Sequence, residues 1–163
     1  MAKQTAKPLI VSACLFGQPV RYNGIGKPND FLIALQQSGR RIIAVCPEEM
    51  GGLSTPRPPS EIDNGSGEDV LDGNACVKAD TGADVSAEFV AGAYKVLRLA
   101  QEAGADCAVM KAKSPSCGCM RIYDGTFSGA VKTGNGVTTA LLLRYGFHVL
   151  TEEDGEALQQ LAE

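Results

Sequence analysis

Short all-apolar runs alternate along this chain with segments of helical period. Leu9, Ile10 and Val11 form the first run, and residues 9–12 are expected to be a buried strand. Residues 30–38 set Phe31, Leu32 and Leu35 on one side of a helix that Gly39 stops. Ile42, Ile43 and Val45 predict a second strand over 41–45. The clearest helix is expected at 85–103. Val85, Phe89, Val96, Ala100 and Ala103 lie close to one of its faces, with Glu88, Lys95, Arg98 and Glu102 away from it. Ser86 is the expected cap and Gly104 the stop. A strand at 106–110, a helix at 136–145, a strand at 147–150 and a helix at 154–161 complete the series. Two stretches break it. Residues 47–82, rich in Gly, Pro, Ser and Asp, read as a long loop with one short strand near Val70-Leu71, and residues 112–133 read as a second glycine-rich loop. Loops of that length in a compact domain are often functional.

Strand–helix alternation with all-apolar strands predicts an α/β fold. It is a single-domain, Rossmann-like parallel sheet with helices on both faces and long glycine-rich loops at the carboxyl edge. The 163 residues suffice for one such domain, spanning the whole chain, with a core that needs no disulfide.

Composition narrows the function. A net charge of −4 disfavours a long nucleic acid as partner. No apolar run reaches the ~18 residues of a membrane span. Val11-Ser12-Ala13-Cys14 looks like a lipoprotein cleavage site, but only Leu9 to Ala13 are apolar before it. A secretory signal needs about 7–15 such residues. The expected compartment is therefore the cytoplasm, where the six cysteines serve as thiols or metal ligands. One histidine and no tryptophan leave little material for a Ser-His-Asp or Cys-His engine, and His148 reads as a packed or edge residue of its strand.

The chemistry-bearing residues follow strands. Cys14 comes after the first, Cys46 after the second, and Cys117 lies in the loop after the third. Ligands of an open parallel sheet bind at the carboxyl ends of its strands, so the three cysteines are expected to converge on one crevice. Cys107 reads as a buried strand thiol, Cys76 as a loop residue, and Cys119 as ambiguous. Glycine beside a cysteine lets backbone approach a bulky ligand, and proline stiffens the loop. Three thiolates suit zinc or an iron–sulfur cluster. The chain has no C-x-x-C pair of the kind structural zinc commonly uses. A [4Fe-4S] cluster held by three cysteines leaves one iron open as a Lewis acid. Arg21 and Arg57 either meet a substrate phosphate or pin a loop carboxylate. Tyr22, Tyr123 and Phe127 either stack on a base or pack beneath the loops. Gly134-Asn135-Gly136 reads as a turn, with an anion site at the following helix as the weaker reading.

The motifs VSACLFG, RYNG, CPEEMGGLSTPRPPSEI, ADVSAEFVAGA and KAKSPSCGCMRIYDGTFSGAVKTGNGVTTALL stand in that order between about residues 9 and 152. Together they resemble the thiouracil desulfidase (TudS) family. The resemblance implies a [4Fe-4S] cluster held by Cys14, Cys46 and Cys117. It also implies non-redox removal of sulfur from a small thiolated nucleobase or nucleoside. It carries the family's glutamate to Glu48, its lysine to Lys111, and its serine to Ser116 or Ser114. The chain departs from the family pattern at Asn23, commonly Asp, and at Cys119, commonly Ser. The first puts an acid role there in doubt, and the second adds a thiol that competes as a ligand. The expected mechanism is hydrolytic. The open iron polarises the C=S bond, Glu48 acts as base toward water, Lys111 or backbone N–H groups stabilise charge, and Ser116 or Ser114 orients substrate or relays a proton. Two readings of other classes stand beside it: a zinc or iron–sulfur module without chemistry, and a sulfur transferase with persulfide on Cys117 or Cys119.

Overall fold

The computed structural model describes residues 6–162. In chain order its elements are β1 (Leu9–Ser12), a 3-10 turn (Ala13–Phe16), α1 (Asp30–Gln37), β2 (Ile42–Val45), α2 (Pro47–Met50), β3 (Ser60–Asp63) and α3 (Gly67–Leu71). There follow β4 (Cys76–Ala79), α4 (Ser86–Ala103), β5 (Cys107–Met110), β6 (Arg121–Tyr123), β7 (Val131–Thr133), α5 (Val137–Arg144), β8 (His148–Thr151) and α6 (Gly155–Gln160).

Four strands form the central sheet in the order β2-β1-β5-β8, all parallel. Leu9 is in register with Ile42 on one side and Cys107 on the other, and Val109 with Leu150. The chain moves outward from β1 to β2, then returns past β1 to β5 and β8. The direction of winding therefore reverses between β1 and β5, and such a switch point opens a crevice at the carboxyl ends. Leu9, Ile10 and Val11 are fully buried because helices cover both faces. On one face Ile10, Ala108 and Val149 pack with Phe89 and Val96 of α4 and Leu141 of α5. On the other, Leu9, Val11 and Val109 pack with Leu32 and Leu35 of α1 and Leu158 of α6. Full burial of a side chain such as Phe89 or Leu141 contributes about 1.5–3 kcal/mol.

The expected Rossmann-like α/β architecture is present, and the departures lie in the stretches expected to be loops. Val70-Leu71 is not a strand but the end of α3. The Asp69 carboxylate accepts the Ser66 N–H at 2.9 Å, a local start signal that favours helix there. Residues 47–82 hold α2, α3 and an antiparallel hairpin of β3 and β4, in which fully buried Ile62 faces Val77. Residues 112–133 hold a second hairpin, β6 with β7, anchored by buried Ile122. Ser86 does not cap α4 as expected. It is the first helical residue, its N–H goes to Asp84 Oδ1 at 2.9 Å, and its hydroxyl accepts from Val77 N at 2.8 Å. That bond ties α4 to the β3–β4 hairpin. Gly104 ends α4 at φ 74 as expected. His148 is exposed at the start of edge strand β8. All six cysteines are unpaired. No described helix is long and apolar enough to cross a membrane.

Candidate active site

Three loops at the carboxyl edge each carry a cysteine. Cys14 sits in the 3-10 turn directly after β1, where its carbonyl accepts from Gly17 N at 3.0 Å and Lys27 N at 2.8 Å. Cys46 stands at the end of β2 in the N-cap position of α2, and Pro47 fixes the first helical residue. Cys117 follows β5 in a loop seated on the start of α5. Val137 N donates to Pro115 O at 2.8 Å and Thr138 N to Ser116 O at 2.9 Å. The Thr139 hydroxyl donates to Cys117 O at 2.8 Å. These bonds use the N–H groups that would hold an anion, so Gly134-Asn135-Gly136 serves close packing instead. A Cβ on Gly136 would lie 2.6 Å from the Ser116 carbonyl carbon.

Cys14, Cys46 and Cys117 line one cavity of about 420 Å³, together with Glu48, Lys111, Ser114 and Ser116. Every site residue expected from the sequence is thus brought to one place. Burial pushes the Cys14 thiol up to about 11, partly offset by Lys111 and then Arg21. Burial pushes Cys117 up to about 12, and its hydrogen bonds with the Ser116 and Ser12 hydroxyls oppose this. Cys46 is raised for the same reason, burial. Among the described residues, no three His, Cys, Asp or Glu side chains are close enough to grip a single metal ion.

A hydrogen-bonded line of polar groups runs along the wall. Arg57 Nε donates to Glu48 Oε1 at 3.0 Å, and Ser116 Oγ donates to Glu48 Oε2 at 2.8 Å. Ser114 Oγ lies 3.0 Å from Ser116 Oγ and accepts the N–H groups of Ser116 and Cys117 at 3.1 and 3.0 Å. Ser116 Oγ is also 3.5 Å from Cys117 Sγ. With the Ser116 proton on Glu48, the Ser114 proton points to Ser116 Oγ, so the line has one direction. Arg57 is almost wholly buried and also donates to Ser54 O, Thr55 Oγ1 and Val20 O. Of the two readings for Arg57, the structure therefore supports the one in which it pins a carboxylate.

Lys111 Nζ is held by Glu152 Oε2 at 2.8 Å, while Glu152 Oε1 accepts Ala112 N at 2.7 Å. Arg21, Tyr22, Tyr123 and Phe127 line the cavity, the three aromatics each more than a third exposed at its mouth. Asn23 is not on the cavity wall. Its Oδ1 accepts Ile25 N at 3.1 Å in a local turn. Cys119 points elsewhere, toward Val149 O, and lines a separate depression beside α6. Three contributors escaped the sequence reading. Ser12 accepts Lys111 N at 2.9 Å and joins the ends of β1 and β5. Glu152 directly follows β8, so the placement rule that found the cysteines also points to it. Glu61 lines the cavity from β3, a strand that the composition of its stretch concealed.

Comparison with known proteins adds to this geometry. Residues 9–154 match the 2-thiouracil desulfurase family. The uncharacterized protein YbbK of Bacillus subtilis (strain 168) is 44% identical over 146 residues, covering 90% of this chain and 96% of that protein. A solved structure named [4Fe-4S]-dependent thiouracil desulfidase TudS shares 45% of its residues with this chain. It superposes with a TM-score of 0.83, covering 96% of this chain and 97% of its own. The match spans all three cysteine loops and the whole central sheet, and the chain belongs to the 2-thiouracil desulfurase family.

Proposed function

We propose that this protein is a cytoplasmic [4Fe-4S]-dependent desulfidase that converts a thiolated nucleobase or nucleoside, of the 2-thiouracil kind, to the oxo compound and sulfide without net redox change. The observation that carries the reading is the shared cavity. Three cysteines from three loops line it, Cys14 and Cys117 buried and Cys46 half-buried, and a carboxylate fixed by an arginine and a serine stands on its wall.

The donor set fits the cluster. Thiolates are soft ligands suited to iron–sulfur centres, and the three cysteines line one cavity. Cys14, Cys46 and Cys117 would hold it. When bound, it supplies a Lewis-acidic iron with an open position for the substrate sulfur. Lys111 and Arg21 offset negative charge near Cys14.

The chain's own groups supply the rest. Glu48 takes a proton from the water that adds to the thiocarbonyl carbon, at a carboxylate whose orientation Arg57 fixes. Ser116 holds Oε2 in place through its hydroxyl and passes a proton along the Glu48–Ser116 bond. Glu48 returns that proton to the departing sulfur, and the proton left on the added oxygen follows as the carbonyl forms, so the thiocarbonyl and water become the carbonyl and hydrogen sulfide. Lys111, held by Glu152, stabilises charge as it develops. A nucleophilic-cysteine transferase is less well supported. A reactive cysteine needs an accessible sulfur in the site, whereas Cys117 is 4% exposed and Cys119 faces Val149 O in a separate depression.

The test is sulfide release from 2-thiouracil by anaerobically purified protein. Wild type should turn over with about four iron and four sulfide per chain, as that cluster type requires. Glu48→Ala should keep the iron and lose turnover by at least about 100-fold. Full turnover by Glu48→Ala removes that residue from the mechanism.

A further inference from the structure

Glu61 is a carboxylate in surroundings that do not explain it. It is 8% exposed on β3, next to fully buried Ile62. It makes no ion pair among the described residues. Its partner in register on β4, Lys78, pairs with Asp63 at 3.6 Å instead, and a buried carboxylate without a cation is costly unless it is hydrogen-bonded. Its Oε1 accepts two backbone N–H groups, Gly125 at 2.9 Å and Phe127 at 3.2 Å, from the tip of the β6–β7 hairpin. That tip lies hard against β3. Gly125 has φ 95, and a Cβ there would stand 2.8 Å from Ile62 O. Phe127 has φ 58, a left-handed conformation that a bulky residue keeps only when its neighbours hold it. The second oxygen, Oε2, has no hydrogen-bond partner among the described residues and is not sealed from solvent. Glu61 and Phe127 line the same cavity as the three cysteines and Glu48.

We infer that Glu61 Oε2 accepts a ring N–H of the bound thiolated base, which makes Glu61 a specificity-determining residue. The inference rests on the desulfidase reading. In 2-thiouracil the C2 sulfur is flanked by N1–H and N3–H, so a site that draws the sulfur toward the cysteines must meet an N–H edge. The other carboxylates on the wall do not serve. Glu48, held by Arg57 and Ser116, is the base toward water in the proposed reaction, and Asp80 is exposed to water. A buried carboxylate is the strongest neutral-pH acceptor for such an N–H, and an analogue without that proton leaves it unpaired. The same carboxylate sets Phe127, 40% exposed at the mouth, where its ring can lie against the base. One residue thus reads an edge and positions a stacking face.

The experiment compares cluster-loaded wild type with Glu61→Gln on 2-thiouracil and its N1-methyl and N3-methyl derivatives. Calorimetry of uracil binding runs alongside. Glutamine keeps an acceptor for the hairpin N–H groups and puts an amide N–H donor in place of Oε2. Wild type should disfavour one methyl isomer by about 10- to 100-fold. Glu61→Gln should raise KM for 2-thiouracil and Kd for uracil by a similar factor. Its kcat should stay within about threefold of wild type. It should no longer distinguish that isomer from the parent base, and iron content and Tm should not change. A Glu61→Gln protein with wild-type KM and wild-type discrimination overturns the inference. So does one whose Tm falls while discrimination persists, since Glu61 would then only support the hairpin. Iron-loaded wild type that releases no sulfide from any thiolated base overturns the desulfidase reading itself, and this inference with it.

Discussion

Ser114 and Ser116 stand two residues apart, and their hydrogen bonds separate their roles. Ser116 is 1% exposed and donates to Glu48 Oε2, so it touches the group proposed to move the proton. Ser114 accepts two backbone N–H groups of its own loop and meets Glu48 only through Ser116. Ser116→Ala should therefore lower kcat by about 100-fold with the cluster retained. Ser114→Ala leaves two N–H groups unpaired, which costs about 1–3 kcal/mol of loop stability. It should lower Tm and iron retention more than kcat. Stopped-assay sulfide release with iron analysis on both variants checks this, and the reverse pattern would exchange the roles. The sequence offered both serines without ranking them, because the choice depends on where Glu48, 68 residues away, directs its free oxygen. Arg57 was ambiguous for the same reason. Its ligand is a carboxylate nine positions earlier, across a loop whose path the sequence does not reveal.

At the scale of elements, the sequence made legible what is unbrokenly apolar or strongly periodic. The sheet strands, α1, α4, α5 and α6 were readable because burial on both faces leaves apolar runs and one-sided stripes. Short elements without an unbroken apolar run were hidden. α3 and the two hairpins are too short for a period to register, and their glycines and prolines carry the signature of a loop. That concealment cost Glu61, since a residue assigned to a loop has no predictable direction. The seat of the cysteine loop on α5 was hidden too. Gly136 read as turn punctuation, yet it is required because Ser116 backbone fills the space beside it. Gly136→Ala forces that backbone to shift. It should lower stability by about 1–3 kcal/mol in denaturant unfolding, as overpacking does elsewhere. It should also impair cluster retention, although residue 136 touches no ligand. A variant as stable and as iron-rich as wild type would show that the loop has slack there.

For the molecule as a whole, the reversal of winding between β1 and β5 decides where chemistry is possible. β1, β2 and β5 deliver Cys14, Cys46 and Cys117 to one edge, and β8 adds Glu152 to hold Lys111. A chain with one histidine gathers its reactive groups by topology rather than by local spacing, which is why strand order carried more information than any single motif. Cys119 shows the limit of proximity in sequence. It is two residues from Cys117 and faces a different surface. The central claim is that these three thiols, and no others, hold an iron–sulfur cluster. The most direct measurement is iron and acid-labile sulfide per chain, with the absorption spectrum near 400 nm, after anaerobic reconstitution of all six Cys→Ala variants. The account predicts loss of the cluster in Cys14→Ala, Cys46→Ala and Cys117→Ala. It predicts about four iron per chain, as in wild type, in Cys76→Ala, Cys107→Ala and Cys119→Ala. A full cluster in any of the first three, or its loss in Cys119→Ala, would contradict it.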